Sequence, residues 1–239
     1  MEKFGKSQSV LRTEDDRFLT GKGRYIDDAT PSDSLFAYFF RSQVAHAKIA
    51  SLNVVDAKNA VGIHGIFIAE DLENNGVKND LVGVTVKNRD GTDGASPKRP
   101  LLAKDRVRFV GEPIALIIAD TMQNAKDAAE LIEIDYDDLP VSTELKRGEY
   151  TIHPEAPENV AFEWQMGDES KTNELFEKAD KVVSMEVDNN RIIANSMEPR
   201  GCYAEWDNER LHISFSGQGV WAHKRFASEI LGLRSEQIR

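Results

Sequence analysis

Asn195-Ser-Met-Glu-Pro-Arg-Gly201, Cys202-Tyr-Ala-Glu-Trp-Asp207, Asn208-Glu209, Arg210-Leu-His-Ile-Ser-Phe-Ser216 and Gly217-Gln218-Gly219 form one continuous stretch of the chain. Apolar and polar residues alternate through 201–207 and 210–216, with a turn at Asp207-Asn208-Glu209, which predicts a β-hairpin with one buried face. Gln218 follows between two glycines, immediately before a helical pattern that starts near Val220. A primary amide both donates and accepts, and the flanking glycines leave the backbone free to turn sharply. The N–H groups that open the next helix point to the same place, so the turn favours an oxygen-rich, electron-rich ligand. Taken alone, a glutamine in such a turn is more often solvated than functional.

Outward from this stretch, Val220, His223, Ala227, Ile230 and Leu231 share one face of a predicted helix over 220–231, and Gly232 stops it. A further segment begins at 236–239. On the other side lie a predicted helix over 172–179, with Leu175 and Phe176 inward, and a predicted strand over 181–187. Residues 144–166 shift to Pro, Glu, His and Asn without periodicity and read as a linker. Glu198 and Arg200 invite an acid–base or anion-binding role, but a structural ion pair or a hydrogen-bonded turn around Pro199 explains them more simply.

The earlier part of the chain reads as mixed strands and helices. Residues 1–11 form a polar tail. Gly21-Lys22-Gly23 lacks the spacing of a phosphate loop, and Tyr25-Ile26 is strand-like, not a helix start. A buried strand is predicted over 35–42 and a short helix over 57–61, capped by Asp56 and ended by Gly62. Another strand follows over 65–69, then a long polar surface loop over 74–99. Its aspartates lack EF-hand spacing. Ile114–Ala119 is the most strand-like run, Thr121 caps a helix over 122–131, and a strand returns over 132–136. If those two strands were parallel neighbours, the crossover would be right-handed. No Gly-x-Gly-x-x-Gly marks a dinucleotide site. His46 has no catalytic partner in a recognisable motif and reads as a structural histidine bonded to backbone.

Composition narrows the function. The chain has 239 residues, 40% hydrophobic and 30% charged, which is enough for one large or two smaller domains. A formal net charge of −11 with scattered Lys and Arg argues against a nucleic-acid footprint. No apolar run is long enough to span a membrane and no signal peptide opens the chain, so a cytoplasmic location is expected. One cysteine, Cys202, excludes an internal disulfide and an iron–sulfur cluster held by this chain alone. The five histidines show no zinc-ligand spacing.

Several ordered motifs carry a family resemblance. They are Arg12-x-Glu-Asp with Phe18-Leu-x-Gly-x-Gly-x-Tyr-x-Asp-Asp28; Arg41-Ser-x-x-Ala-His-Ala-x-Ile49; Val110-Gly-Glu-Pro-Ile-Ala115; Ala128-Ala-x-x-Ile-Glu-Ile-Asp-Tyr-x-x-Leu-Pro140; and Met197-Glu-Pro-Arg200 with its hairpin and Ser-Gly-Gln ending. In this order they resemble the opening of the molybdenum-binding large subunits of the xanthine dehydrogenase, aldehyde oxidase and aerobic carbon monoxide dehydrogenase family. The resemblance implies an α+β fold: an α/β-hammerhead domain over 1–143, a linker over 144–166, and over 167–239 the incomplete start of a molybdopterin-binding α+β domain. It implies a cofactor-contacting turn at Gly217, Gln218 and Gly219, with Gln218 approaching an oxygen ligand of the molybdenum. No catalytic residue and no protein metal ligand is expected in this chain, since in the family the metal is held by the sulfurs of its pterin. The implied cofactor is molybdenum-molybdopterin in its cytosine dinucleotide form. The implied partners are the remainder of the large subunit, an FAD-containing medium subunit, a [2Fe-2S] small subunit and a small-molecule substrate, in an oligomer. The form of the Ser196–Arg200 motif leans toward the carbon monoxide and aldehyde dehydrogenase branch. A Gly-Gly-Gly-Phe-Gly-x-Lys cofactor cradle and a later glutamate base are absent from the sequence, so the chain alone is expected to be inert, bind no cofactor and expose apolar surface. A non-catalytic assembly module of the same fold is the competing reading.

Overall fold

A computed structural model describes residues 11–239, except 82, 145, 146, 149, 191 and 197. The expected tail therefore lies almost wholly outside the described residues. The elements, in chain order, are α1 (Asp15–Leu19), α2 (Ile26–Ala29), β1 (Phe36–Arg41), β2 (Ala47–Asn53), α3 (Val55–Lys58), β3 (Ile63–Phe67), α4 (Ala69–Asn74), β4 (Asp80–Leu81), β5 (Arg99–Pro100), β6 (Arg106–Val107), β7 (Pro113–Ala119), α5 (Met122–Glu130), β8 (Glu133–Asp138), α6 (Glu169–Lys178), β9 (Cys202–Asp207), β10 (Arg210–Phe215) and α7 (Val220–Leu231).

Two three-stranded antiparallel sheets, ordered β1-β7-β3 and β6-β2-β8, build the first part of the chain. β7 is apolar at nearly every position because it is central and covered on both faces. Ala115, Ile117 and Ala119 alternate toward α5, whose Ala125, Ala128 and Ala129 recur at helical spacing and admit the sheet closely. Val54, Ala57, Ile66 and Ile132 complete that core, while Ile114 turns to a second cluster with Ala47, Ala103 and Val107. Thr121 caps α5, its Oγ1 accepting from Asn124 N at 3.1 Å. The loop from α5 then delivers β8 to the other sheet. The crossover rule for parallel neighbours therefore does not apply to β7 and β8.

Several local expectations need correction. Tyr25-Ile26 opens the helix α2, because the Asp28 carboxylate accepts from Tyr25 N at 2.9 Å and closes the turn. Asp56 lies inside α3; the cap-like acceptor is Asn53 Oδ1, which takes Val55 N at 3.1 Å. The strand expected over 65–69 runs Ile63–Phe67, and Ala69 starts α4, with Asp71 accepting from Ile68 N. The long loop is partly ordered by the β4–β5 pair. It is also strapped to the linker: Ala95 N donates to Ala161 O, Arg89 N to Glu163 O, and Glu163 N to Asn88 Oδ1.

The later part of the chain departs most from pattern. α6 begins at Glu169, where Asp168 Oδ1 accepts from Lys171 N at 2.9 Å, but Leu175 and Phe176 point to solvent, 62% and 60% exposed. Residues 181–187 form no strand, since no neighbouring strand pairs with them among the described residues. The face predicted for α7 is not a buried one: Val220, His223 and Leu231 are exposed, and Ala227 and Ile230 are half-buried.

Candidate functional site

The β9–β10 hairpin forms, in register from Arg210 opposite Asp207 to Phe215 opposite Cys202, but the buried face expected for it is absent, since every residue of its two strands is exposed or half-buried. Asn208 and Glu209 both take left-handed φ, 47° and 66°, as a two-residue hairpin turn requires. Ser216 closes the open end. Its N–H donates to Gly201 O, and its Oγ accepts from Gly201 N at 3.0 Å. At the other edge of β10, Arg239 N donates to Leu211 O and Ile213 N to Arg239 O, and Leu211 bridges Ile238 in parallel.

The segment before the hairpin is anchored to the first part of the chain. Glu198 Oε1 accepts from Ile26 N at 3.1 Å, and a Cβ on Gly201 would lie 3.4 Å from Ile26. Glu198 is therefore a structural acceptor for a backbone donor, and no Glu198–Arg200 ion pair forms among the described residues. Met197 lies outside them. α7 is tied similarly, with Lys78 N donating to Ile230 O at 2.9 Å.

Between these anchors sits the Gly217-Gln218-Gly219 turn. Gly217 is required by space, since a Cβ there would come within 2.6 Å of the Phe215 ring. Gly219 is required by conformation, with a left-handed φ of 79° at the N-cap of α7. Its carbonyl accepts from Ala222 N, His223 N and His223 Nδ1. The His223 ring also packs on Phe215, with centroids 4.4 Å apart. Gln218 is exposed and its amide makes no hydrogen bond among the described residues. A free amide on a fixed turn beside a helix N-terminus suits an electron-rich acceptor. Sequence reasoning missed the Phe215–His223 support, although the two residues stand close to the turn in sequence.

Among the described residues no group of three His, Cys, Asp or Glu side chains could hold a metal ion. His46, in contrast, is structural: it is 5% exposed and its Nδ1–H donates to Pro140 O at 2.7 Å.

Residues 20–140 match the aldehyde oxidase and xanthine dehydrogenase a/b hammerhead domain. The chain belongs to that family. Residues 152–239 match a molybdopterin cofactor-binding domain. The nicotine 6-hydroxylase large subunit of Paenarthrobacter nicotinovorans is 35% identical over 96% of this chain and 28% of its own length. The carbon monoxide dehydrogenase large chain of Afipia carboxidovorans is 29% identical over 95% of this chain and 29% of its own. Among solved structures, a Cu,Mo-CO dehydrogenase superposes with a TM-score of 0.80 at 27% identity, covering 96% of this chain and 30% of that one. The aldehyde oxidoreductase of Desulfovibrio gigas gives 0.75 at 26% identity, covering 95% and 25%. The chain thus spans under a third of the length of these relatives and aligns with their N-terminal portion. The α+β architecture, a hammerhead followed by part of a molybdopterin-binding domain, is the one the motif order implied.

Proposed function

We propose that this chain works as part of a molybdenum hydroxylase large subunit, in which Gly217 and Gly219 shape a turn that presents Gln218 to the cofactor. The observation that carries the reading is the unpaired Gln218 amide, held on a turn fixed at both ends. The molybdenum–pterin group, in its cytosine dinucleotide form, supplies the redox chemistry. The chain's own part is to orient: Gln218 offers N–H or C=O to the group, as hydrogen bonds from beyond the ligands tune a metal site. Residues 1–143 act as the hammerhead, 144–166 as its link, and 167–239 as the first part of the cofactor domain. The rest of the large subunit covers the exposed apolar side chains of this last part, and FAD and [2Fe-2S] subunits carry electrons away, in the cytoplasm. Alone, the chain is inert.

The motif leans toward carbon monoxide or an aldehyde as substrate. A nitrogen heteroaromatic is a second reading, supported by the higher identity to a nicotine hydroxylase, 35% against 29%. Co-expression with the neighbouring genes, followed by metal and pterin analysis of the purified complex, tests the proposal. Molybdenum and pterin together in the complex are expected; a complex free of both would overturn it.

A further inference from the structure

A groove of about 900 Å³ lies outside the turn, between the 76–100 excursion, β6 and the loop around His153. Val107 is fully buried in the second core, so strand alternation sends Arg106 and Arg108 to the opposite face, where both line this groove. Of the lysines lining the same groove, Lys98 Nζ lies 2.8 Å from Asp80 and Lys104 Nζ 2.6 Å from Glu73, while Lys78 forms no ion pair among the described residues. The two arginines are likewise without one among the described residues, although Asp105 and Glu155 also line the groove. Arg108 Nε is shut off from solvent and has no hydrogen-bond partner.

Among the described residues, the one buried carboxylate that acts on Arg108 is already engaged. Glu112, 2% exposed, accepts from the backbone N–H of Arg108. A positive field extends to His153, whose pKa lies below its ordinary value because of burial and then the charge of Arg108, with His46 and Arg106 adding to it against Glu155. A desolvated donor on a charged group costs free energy unless something accepts from it, and such a group in a native fold calls for a partner. Guanidinium N–H groups are spaced to take two oxygens of one ligand.

We propose that Arg106, Arg108 and His153 form a binding site for a small oxyanion, a phosphate, sulfate or carboxylate group. The site is independent of the Gln218 turn and of the reading given to it. The test is calorimetric titration of the 239-residue chain with sodium phosphate, sulfate and acetate, each at an ionic strength held constant with sodium chloride. One-to-one binding of at least one of these is expected. Preference for phosphate and sulfate assigns a tetrahedral oxyanion, and preference for acetate a carboxylate; both support the site. Arg108→Gln should weaken binding at least tenfold and Arg106→Gln severalfold, whereas Lys98→Gln, whose lysine is matched by Asp80, should stay within twofold. Circular dichroism checks each fold, and if Arg108→Gln does not fold, Arg106→Gln decides. Heats indistinguishable from chloride, or parent-like binding by both arginine variants, would overturn the proposal.

Discussion

The two sheets of residues 36–138 and the segment 167–239 use similar apolar patterns with opposite results. In the first, Ile114, Ile117, Ala115 and Ala125 are wholly buried; in the second, Ile238 alone is buried among the described residues, at 3% exposure. Val183, Met185, Ile193 and Trp221 are more than 80% exposed. Alternation marks which face of a segment is apolar but does not supply a surface to cover it. β7 becomes a strand because β1 and β3 take its hydrogen bonds, while 181–187, which carries three valines where β7 has none, has no such neighbours among the described residues.

The contrast can be broken by substitution. Ile117→Ala should cost about 2–5 kcal/mol, the usual range for a buried aliphatic truncated to alanine. Val183→Ala should stay within about 0.5 kcal/mol, as exposed positions do. Urea unfolding of the two variants checks this, and similar losses would abolish the distinction. In the first region, Thr121→Ala should remove about 1 kcal/mol by freeing Asn124 N at the start of α5.

Glu112 sharpens the comparison through pH. Burial raises its pKa above the ordinary 4.5, only partly opposed by the Arg108 N–H and charge, the Phe109 N–H and His46. Its protonated form is thus favoured by the fold. The contribution is fully present below pH 4.5 and is lost as pH rises through the folded-state pKa. Glu112→Gln should flatten this part of the stability–pH curve, measured by thermal unfolding across that window. An unchanged curve would show that Glu112 titrates as it does in the unfolded chain.

What was legible in the sequence follows the same division. β7 and α5 could be read because local pattern and tertiary packing agree there; β1 and the β9–β10 hairpin were legible as strands, but the burial expected for them is not found, since β1 is exposed at Phe36, Ala37, Phe39 and Arg41 and neither hairpin strand has a buried residue. Thr121 was read as punctuation for that reason, whereas Gly62, despite a left-handed φ of 74°, does not end α3, which stops at Lys58 with Asn59 as its C-cap. α2, α3 and α4 were missed or misplaced because their starts are fixed by Asp28, Asn53 and Asp71 reaching backbone N–H groups, contacts that carry little periodicity. At the site, the glycines and Gln218 were visible as a motif, and the anchors at Ile26 and Lys78 were not, since they cross more than 150 residues of chain.

The most direct measurement is molybdenum content together with turnover in the purified complex, for the parent and for Gln218→Ala. The parent complex should hold molybdenum and turn over. Gln218→Ala should keep its metal within error while kcat falls about 10–100-fold, the usual cost of losing a hydrogen bond that tunes a metal site. Full activity in Gln218→Ala, or turnover by the 239-residue chain alone, would contradict the account.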